Sequence, residues 1–167
     1  MKKELQDTLF ERYPKIFIQK DLPATKSCMY WGLDCGDGWY SILDNLCNAI
    51  QSYCDNNTFR HELNGLGKRI LRFKRFRNSL KRSISTSEVE QSFVFKLLYK
   101  KYASGCSQVE GLQGKEKYGT LRFYFKGGDK AIEGMVDLAG RLSEFSCEGC
   151  GCPSSVMSND GWYSTLC

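Results

Sequence analysis

The chain has 167 residues, 41% hydrophobic and 13% aromatic, with three prolines and a net charge of +5. That balance fits one globular domain, or one domain with an appendage, and excludes a disordered polar chain. No apolar run approaches the ~18 residues of a membrane span, and the charged start Met1-Lys2-Lys3-Glu4 lacks a signal peptide's apolar stretch, so a cytosolic place is expected.

Residues 2–13 read as a short helix, with Leu5 and Leu9 one turn apart and Pro14 as the stop. Residues 14–36 read as irregular, containing Pro23 and Gly32. Asp37 is placed to cap a helix in which Trp39, Ile42, Leu43, Leu46, Ile50 and Tyr53 keep helical spacing. Asp55-Asn56-Asn57 reads as its end.

A basic segment follows. Nine of the 24 Lys/Arg and one of the 19 acids fall between Arg60 and Arg82, so a basic stretch sits on a slightly acidic body. Leu66, Ile70, Phe73, Phe76, Leu80 and Ile84 recur at steps of three or four, with Lys68, Arg72, Arg75 and Arg82 mostly on another side. Ser87 with Glu90 forms a capping box that opens a further helix to about Ala103. Residues 59–104 thus read as a basic helical hairpin inserted into a core of residues 1–58 and 105–167.

From Ser107 the pattern changes. Thr120 to Phe125 alternates as a half-buried strand, and Val109 to Leu112 is its expected antiparallel partner. Asp129 caps a helix with Ile132, Met135, Val136, Ala139 and Leu142 in its stripe, ending near Phe145. The expected fold is α+β: four to five helices, a small antiparallel sheet and a zinc-stapled C-terminal tail. A weak internal echo, Asp37-Gly38-Trp39-Tyr40-Ser41 against Asp160-Gly161-Trp162-Tyr163-Ser164, reads as coincidence.

Four stretches carry candidate chemistry. The tail reads Cys147-Glu148-Gly149-Cys150-Gly151-Cys152, with Cys167 returning after 14 intervening residues. In a reducing cytosol nine cysteines are thiols or metal ligands, and a C-x2-C turn with a distant return suits one structural zinc ion. Cys147, Cys150 and Cys167 are the expected ligands. For the fourth, Cys152 is nearest, with Cys35, Cys106, His61 and the carboxylate of Cys167 as alternatives.

Cys35-Gly36-Asp37-Gly38-Trp39 is a Gly-rich turn whose N–H groups suit an anion, with Asp37 and Trp39 as candidate ligand contacts. A tight turn with an Asp cap and a buried Trp39 is the plainer alternative. Lys117, Arg122 and Tyr124 can share one strand face, a mixture of cations and aromatics that suits phosphates and bases. Arg69, Arg72 and Arg75 on the basic helix offer phosphate contacts, or a solvated face.

Catalytic sets are missing. His61 is the sole histidine, no P-loop is present, and neither Asp34/Asp37 nor Asp129/Glu133 forms a recognisable carboxylate motif.

Three of these stretches in this order resemble a family of small uncharacterised proteins of bacteriophages and prophages. That family carries a Cys-Gly-Asp-Gly-Trp segment, a Lys-Glu-Lys-aromatic-Gly-x-Leu-Arg-Phe-Tyr strand and a Cys-x2-Cys…Trp…Leu-Cys tail. Here these are Cys35 to Trp39, Lys115 to Tyr124 and Cys147 to Cys167. The resemblance implies zinc and a phage accessory protein in the cytoplasm of an infected bacterium, one that counters host defence. The family's usual Asp-x-His ending, which would complete a Cys3His site, does not follow Cys167 in this sequence. The expected function is therefore non-enzymatic binding of nucleic acid or a nucleotide. The rival is an inhibitor docking on a host protein through Leu66, Ile70, Phe73 and Phe76, and a metal-dependent nuclease ranks third.

Overall fold

A computed structural model describes the backbone of residues 1–72 and 106–167 and the side chains of residues 1–57 and 106–167. The chain separates into one unit of Met1–Cys54 with Ser107–Cys167 and a second of Asp55–Cys106. The fold is α+β. Among the described residues there are three α-helices rather than four or five: α1 (Lys3–Arg12), α2 (Tyr40–Arg72) and α3 (Lys130–Ser143). None of them is long and apolar enough to cross a membrane.

One expected helix boundary is absent for a local reason. The expected break at Asp55-Asn56-Asn57 does not occur, and α2 runs through it to Arg72. Asn and Asp are weak helix formers, each unfavourable by only about 0.7 kcal/mol, and neither Gly nor Pro interrupts before Gly65. Arg69 and Arg72 therefore lie within α2. Arg75, the rest of the expected basic hairpin and the helix expected from Glu88 lie outside the described residues.

Within the first unit, α1 is fastened to α2 by Asp44. Its carboxylate accepts from Tyr13 Oη at 2.7 Å and from Arg12 Nη1 at 2.8 Å. Burial and that hydrogen bond push the Tyr13 phenol up to about 12. The segment between the helices is less irregular than its sequence implies. It holds 3-10 turns at Ile18–Asp21, Cys28–Trp31 and Asp37–Trp39, and a short strand β1 (Leu33–Asp34).

β1 pairs in parallel with β2 (Glu110–Lys117), which pairs antiparallel with β3 (Thr120–Lys126), giving the order β1-β2-β3. The sheet is thus mixed rather than purely antiparallel, and β2 is longer than the expected Val109 to Leu112. Gly111 and Gly114 are buried strand positions opposite Phe125 and Phe123. A Cβ on Gly114 would lie 2.6 Å from Leu33 Cδ2, and one on Gly111 would lie 3.0 Å from Phe123 Cζ. Glycine lets the bulky neighbour approach the strand there. Leu121 and Phe123 are buried on this face, and Phe17 meets the Phe123 ring edge-on. α3 is capped as expected: Asp129 Oδ1 accepts from Ala131 N at 3.0 Å and Ile132 N at 3.3 Å.

Candidate metal centre

The cysteine tail starts where α3 stops. Two backbone bonds close the loop at 2.8 Å each, Cys147 N–H to the Cys152 carbonyl and Gly151 N–H to the Cys147 carbonyl. The chain then forms a hairpin of β4 (Met157–Asn159) and β5 (Trp162–Ser164). Asp160 and Gly161 both have positive φ, 48° and 81°, as a two-residue type I′ turn requires. Glu148 N–H donates to the Thr165 carbonyl at 2.8 Å, which brings the end of the chain back beside the loop.

The result is one cluster. The Sγ atoms of Cys147, Cys150 and Cys167 all lie within 4.8 Å of one another, and Cys150 and Cys167 are 3.5 Å apart. Tetrahedral thiolate bonds of about 2.3 Å give a sulfur–sulfur edge of about 3.8 Å, so the three sulfurs are close enough together to hold a metal ion. It is the one such group of three or more candidate ligands among the described residues.

The electrostatics point the same way. Backbone N–H groups of Cys150 and Cys167 donate to Cys147 and lower its thiol to about 6, against the opposing effect of burial. Hydrogen bonding to Cys150 and Cys147 raises Cys167 to about 11. Metal binding requires the thiolate form, so a cation bound there would draw off the thiol protons. Cys152 falls outside the three-sulfur group; its thiol is raised by a hydrogen bond with Cys150 and by the charges of Cys150 and Cys147. Cys35 is buried elsewhere, and burial raises it to about 12.

The Gly-rich segment serves this loop rather than an external anion. Gly36 N–H donates to Glu148 Oε1 and Gly38 N–H to the Glu148 carbonyl, both at 2.8 Å. Glu148 is therefore the anion in that turn. Trp39 is fully buried, and its indole N–H donates to the Ser146 carbonyl at 2.7 Å, so it has no face left for a ligand. Asp37 does not cap α2 with its side chain. It accepts from Lys2 N at 2.7 Å and pairs with the Lys2 ammonium at 3.3 Å, and these bonds depress its carboxyl.

The third motif also reaches the tail. Lys117 and Thr120 flank a turn in which Tyr118 and Gly119 have positive φ, 56° and 73°. Gly119's carbonyl accepts from Thr165 Oγ1 at 2.5 Å, and the Tyr118 and Tyr163 rings meet edge to face at 6.2 Å. Three stretches with no sequence proximity thus converge on one loop. The residues that join them, Ser146, Glu148 and Thr165, were not singled out from the sequence. Only Glu148, an acid inside a Cys-x2-Cys loop, carried any signal.

The same β2–β3 register fixes the polar face of the sheet. Lys115 is opposite Arg122, Gln113 opposite Tyr124 and Lys117 opposite Thr120, so Lys115, Lys117, Arg122 and Tyr124 share a side. Lys115 lies over the Tyr124 ring at 5.4 Å and Lys117 over Tyr118 at 5.2 Å. Lys126 is paired with Glu110 at 3.1 Å, whereas Lys115, Lys117 and Arg122 form no ion pair among the described residues.

No family model, curated protein or solved structure matches this chain.

Proposed function

We propose that this protein is a non-enzymatic binding module whose cysteine tail holds a structural zinc ion and whose sheet face takes nucleic acid. Three clustered cysteine sulfurs support zinc, which favours thiolates in closed sites. Cys152, the nearest further thiol, is the fourth ligand in this reading. The zinc supplies no chemistry beyond holding the loop and hairpin against Gly36, Gly38 and Gly119.

The observation that carries the binding role is the polar face of β2 and β3. It presents Lys115, Lys117 and Arg122 without a carboxylate partner and places Tyr124 among them. Cations without an ion pair beside an aromatic ring fit phosphates and bases together. The motif resemblance adds the setting: an accessory protein of a bacteriophage, acting against host defence in the bacterial cytoplasm.

The test is fluorescence anisotropy with a labelled oligonucleotide at increasing salt. Affinity should fall steadily with salt, and a Lys115→Glu, Lys117→Glu, Arg122→Glu variant should lose at least about tenfold, with a shallower salt slope by about 0.7–0.9 per lost phosphate contact. Binding that ignores both salt and charge reversal would reject the reading. Capture of a protein from nuclease-treated host lysate, with no oligonucleotide binding, would favour docking on a host protein.

A further inference from the structure

Tyr118 is a costly choice for its position. Both central residues of a type I′ turn have positive φ, which Asn, Asp and Gly accept and a bulky side chain resists. Tyr118 sits there at φ 56° with its side chain exposed. The turn itself has no use for the ring, because its closing bonds are made by other groups: Glu116 Oε1 accepts from Gly119 N at 2.6 Å and Thr120 Oγ1 donates to the Lys117 carbonyl at 2.9 Å. What the ring does contact is Tyr163 of the tail hairpin and the Lys117 ammonium.

The surface therefore continues past the sheet. Tyr124, Tyr118 and Tyr163 are all exposed, and the first two each carry a lysine over the ring. On the opposite side of β3, Glu133 and Glu144 of α3, with Asp137 already paired to Arg141 at 3.0 Å, border Arg122 and Tyr124. Those acids repel a phosphate chain, while Lys115 and Lys117 attract it toward the turn.

We propose that the nucleic acid bound here is single-stranded, and that it runs from Tyr124 along Lys115 and Lys117 onto Tyr118 and Tyr163. The inference rests on the nucleic-acid reading above and specifies its substrate. A duplex hides its base faces within its own stack, so exposed tyrosines gain nothing from it. A single strand offers a free face to each ring while its phosphates meet the lysines. From Tyr124 to the turn the strand spans about 13 Å at ~3.3 Å per residue, enough for about three or four nucleotides at ~3.4 Å each.

Tyr118→Asn is the decisive variant, because asparagine suits the left-handed position and leaves the fold intact or firmer. Labelled oligo-dT, oligo-U and a DNA duplex, each of about twenty nucleotides, are titrated against wild type, Tyr118→Asn and Arg122→Glu. Wild type should prefer the single strands by at least about tenfold. Tyr118→Asn should lose about tenfold of that affinity with an unchanged or higher melting temperature, and the oligo-dT and oligo-U arms report which sugar is favoured.

If duplex and single strand bind alike and Tyr118→Asn is neutral while Arg122→Glu weakens both, the single-strand path is wrong and the charged face stands. A preference for single strands that Tyr118→Asn leaves intact also removes Tyr118 from the path. If no oligonucleotide binds, both readings fall.

Discussion

Gly38 shows how much one missing Cβ can decide. A methyl group there would lie 2.2 Å from the Cys147 carbonyl oxygen, 2.3 Å from Gly151 N and 2.8 Å from Cys150 N. All three are backbone atoms of the cysteine loop, so no side chain can turn aside to make room. Gly149, inside the same loop, is different: its Cβ would meet nothing closer than Cys147 Sγ at 3.8 Å. Gly38→Ala should therefore push the loop off its seat, with a loss of about 2–3 kcal/mol in unfolding free energy. It should also bring bound zinc, measured by elemental analysis after dialysis, below the one ion per chain expected of wild type. Gly149→Ala should leave both unchanged. Full zinc occupancy in the Gly38→Ala protein would show that the 35–39 segment does not seat the loop.

Between elements, Ser143 has a comparable part. It is fully buried at the end of α3, and its Oγ donates to the Gly140 carbonyl at 2.5 Å while accepting from Leu121 N at 2.8 Å. One hydroxyl thus satisfies a backbone N–H on β3, the strand at the sheet's edge, and fixes the helix against it. Ser143→Ala leaves that N–H buried without a partner and should lower stability by about 1–2 kcal/mol in a denaturant titration, with zinc content unchanged. A melt identical to wild type would mean that another group or water takes the place of the hydroxyl. Elements of this kind were partly legible. α1, α3 and β3 follow from apolar spacing and caps, because local periodicity determines them. β1 and the full length of β2 did not, since Leu33-Asp34 is too short for a period and Gly111 and Gly114 interrupt the apolar alternation of β2. The Asp160-Gly161 hairpin had a readable signal that its likeness to residues 37–41 obscured.

At the scale of the whole first unit, the cysteines were legible and their surroundings were not. A C-x2-C spacing names ligands directly, whereas the seating of residues 147–151 on 36–39 depends on contacts more than a hundred residues apart. Those contacts also determine what metal loss should do. The tail is held by a few backbone bonds and by Trp39, while the rest of the unit has its own buried set, including Leu9, Ile16, Phe17, Met29, Leu43, Ile50, Val109 and Phe123. In small zinc-finger peptides metal binding supplies about 10–16 kcal/mol and is the whole of folding. Here most of the buried core lies outside the tail, so zinc should be worth the order of the tail and not the order of the domain. Stripping the metal with a strong chelator should expose amides of residues 147–167 and 35–39 to hydrogen exchange. Those of residues 43–54 and 120–125 should keep their protection. The same treatment should remove Tyr163 from beside Tyr118 and weaken single-strand binding more than a salt effect alone explains. Uniform loss of protection would make the ion a condition of folding for the entire unit. No change anywhere would mean that the three sulfurs hold no metal that the fold requires.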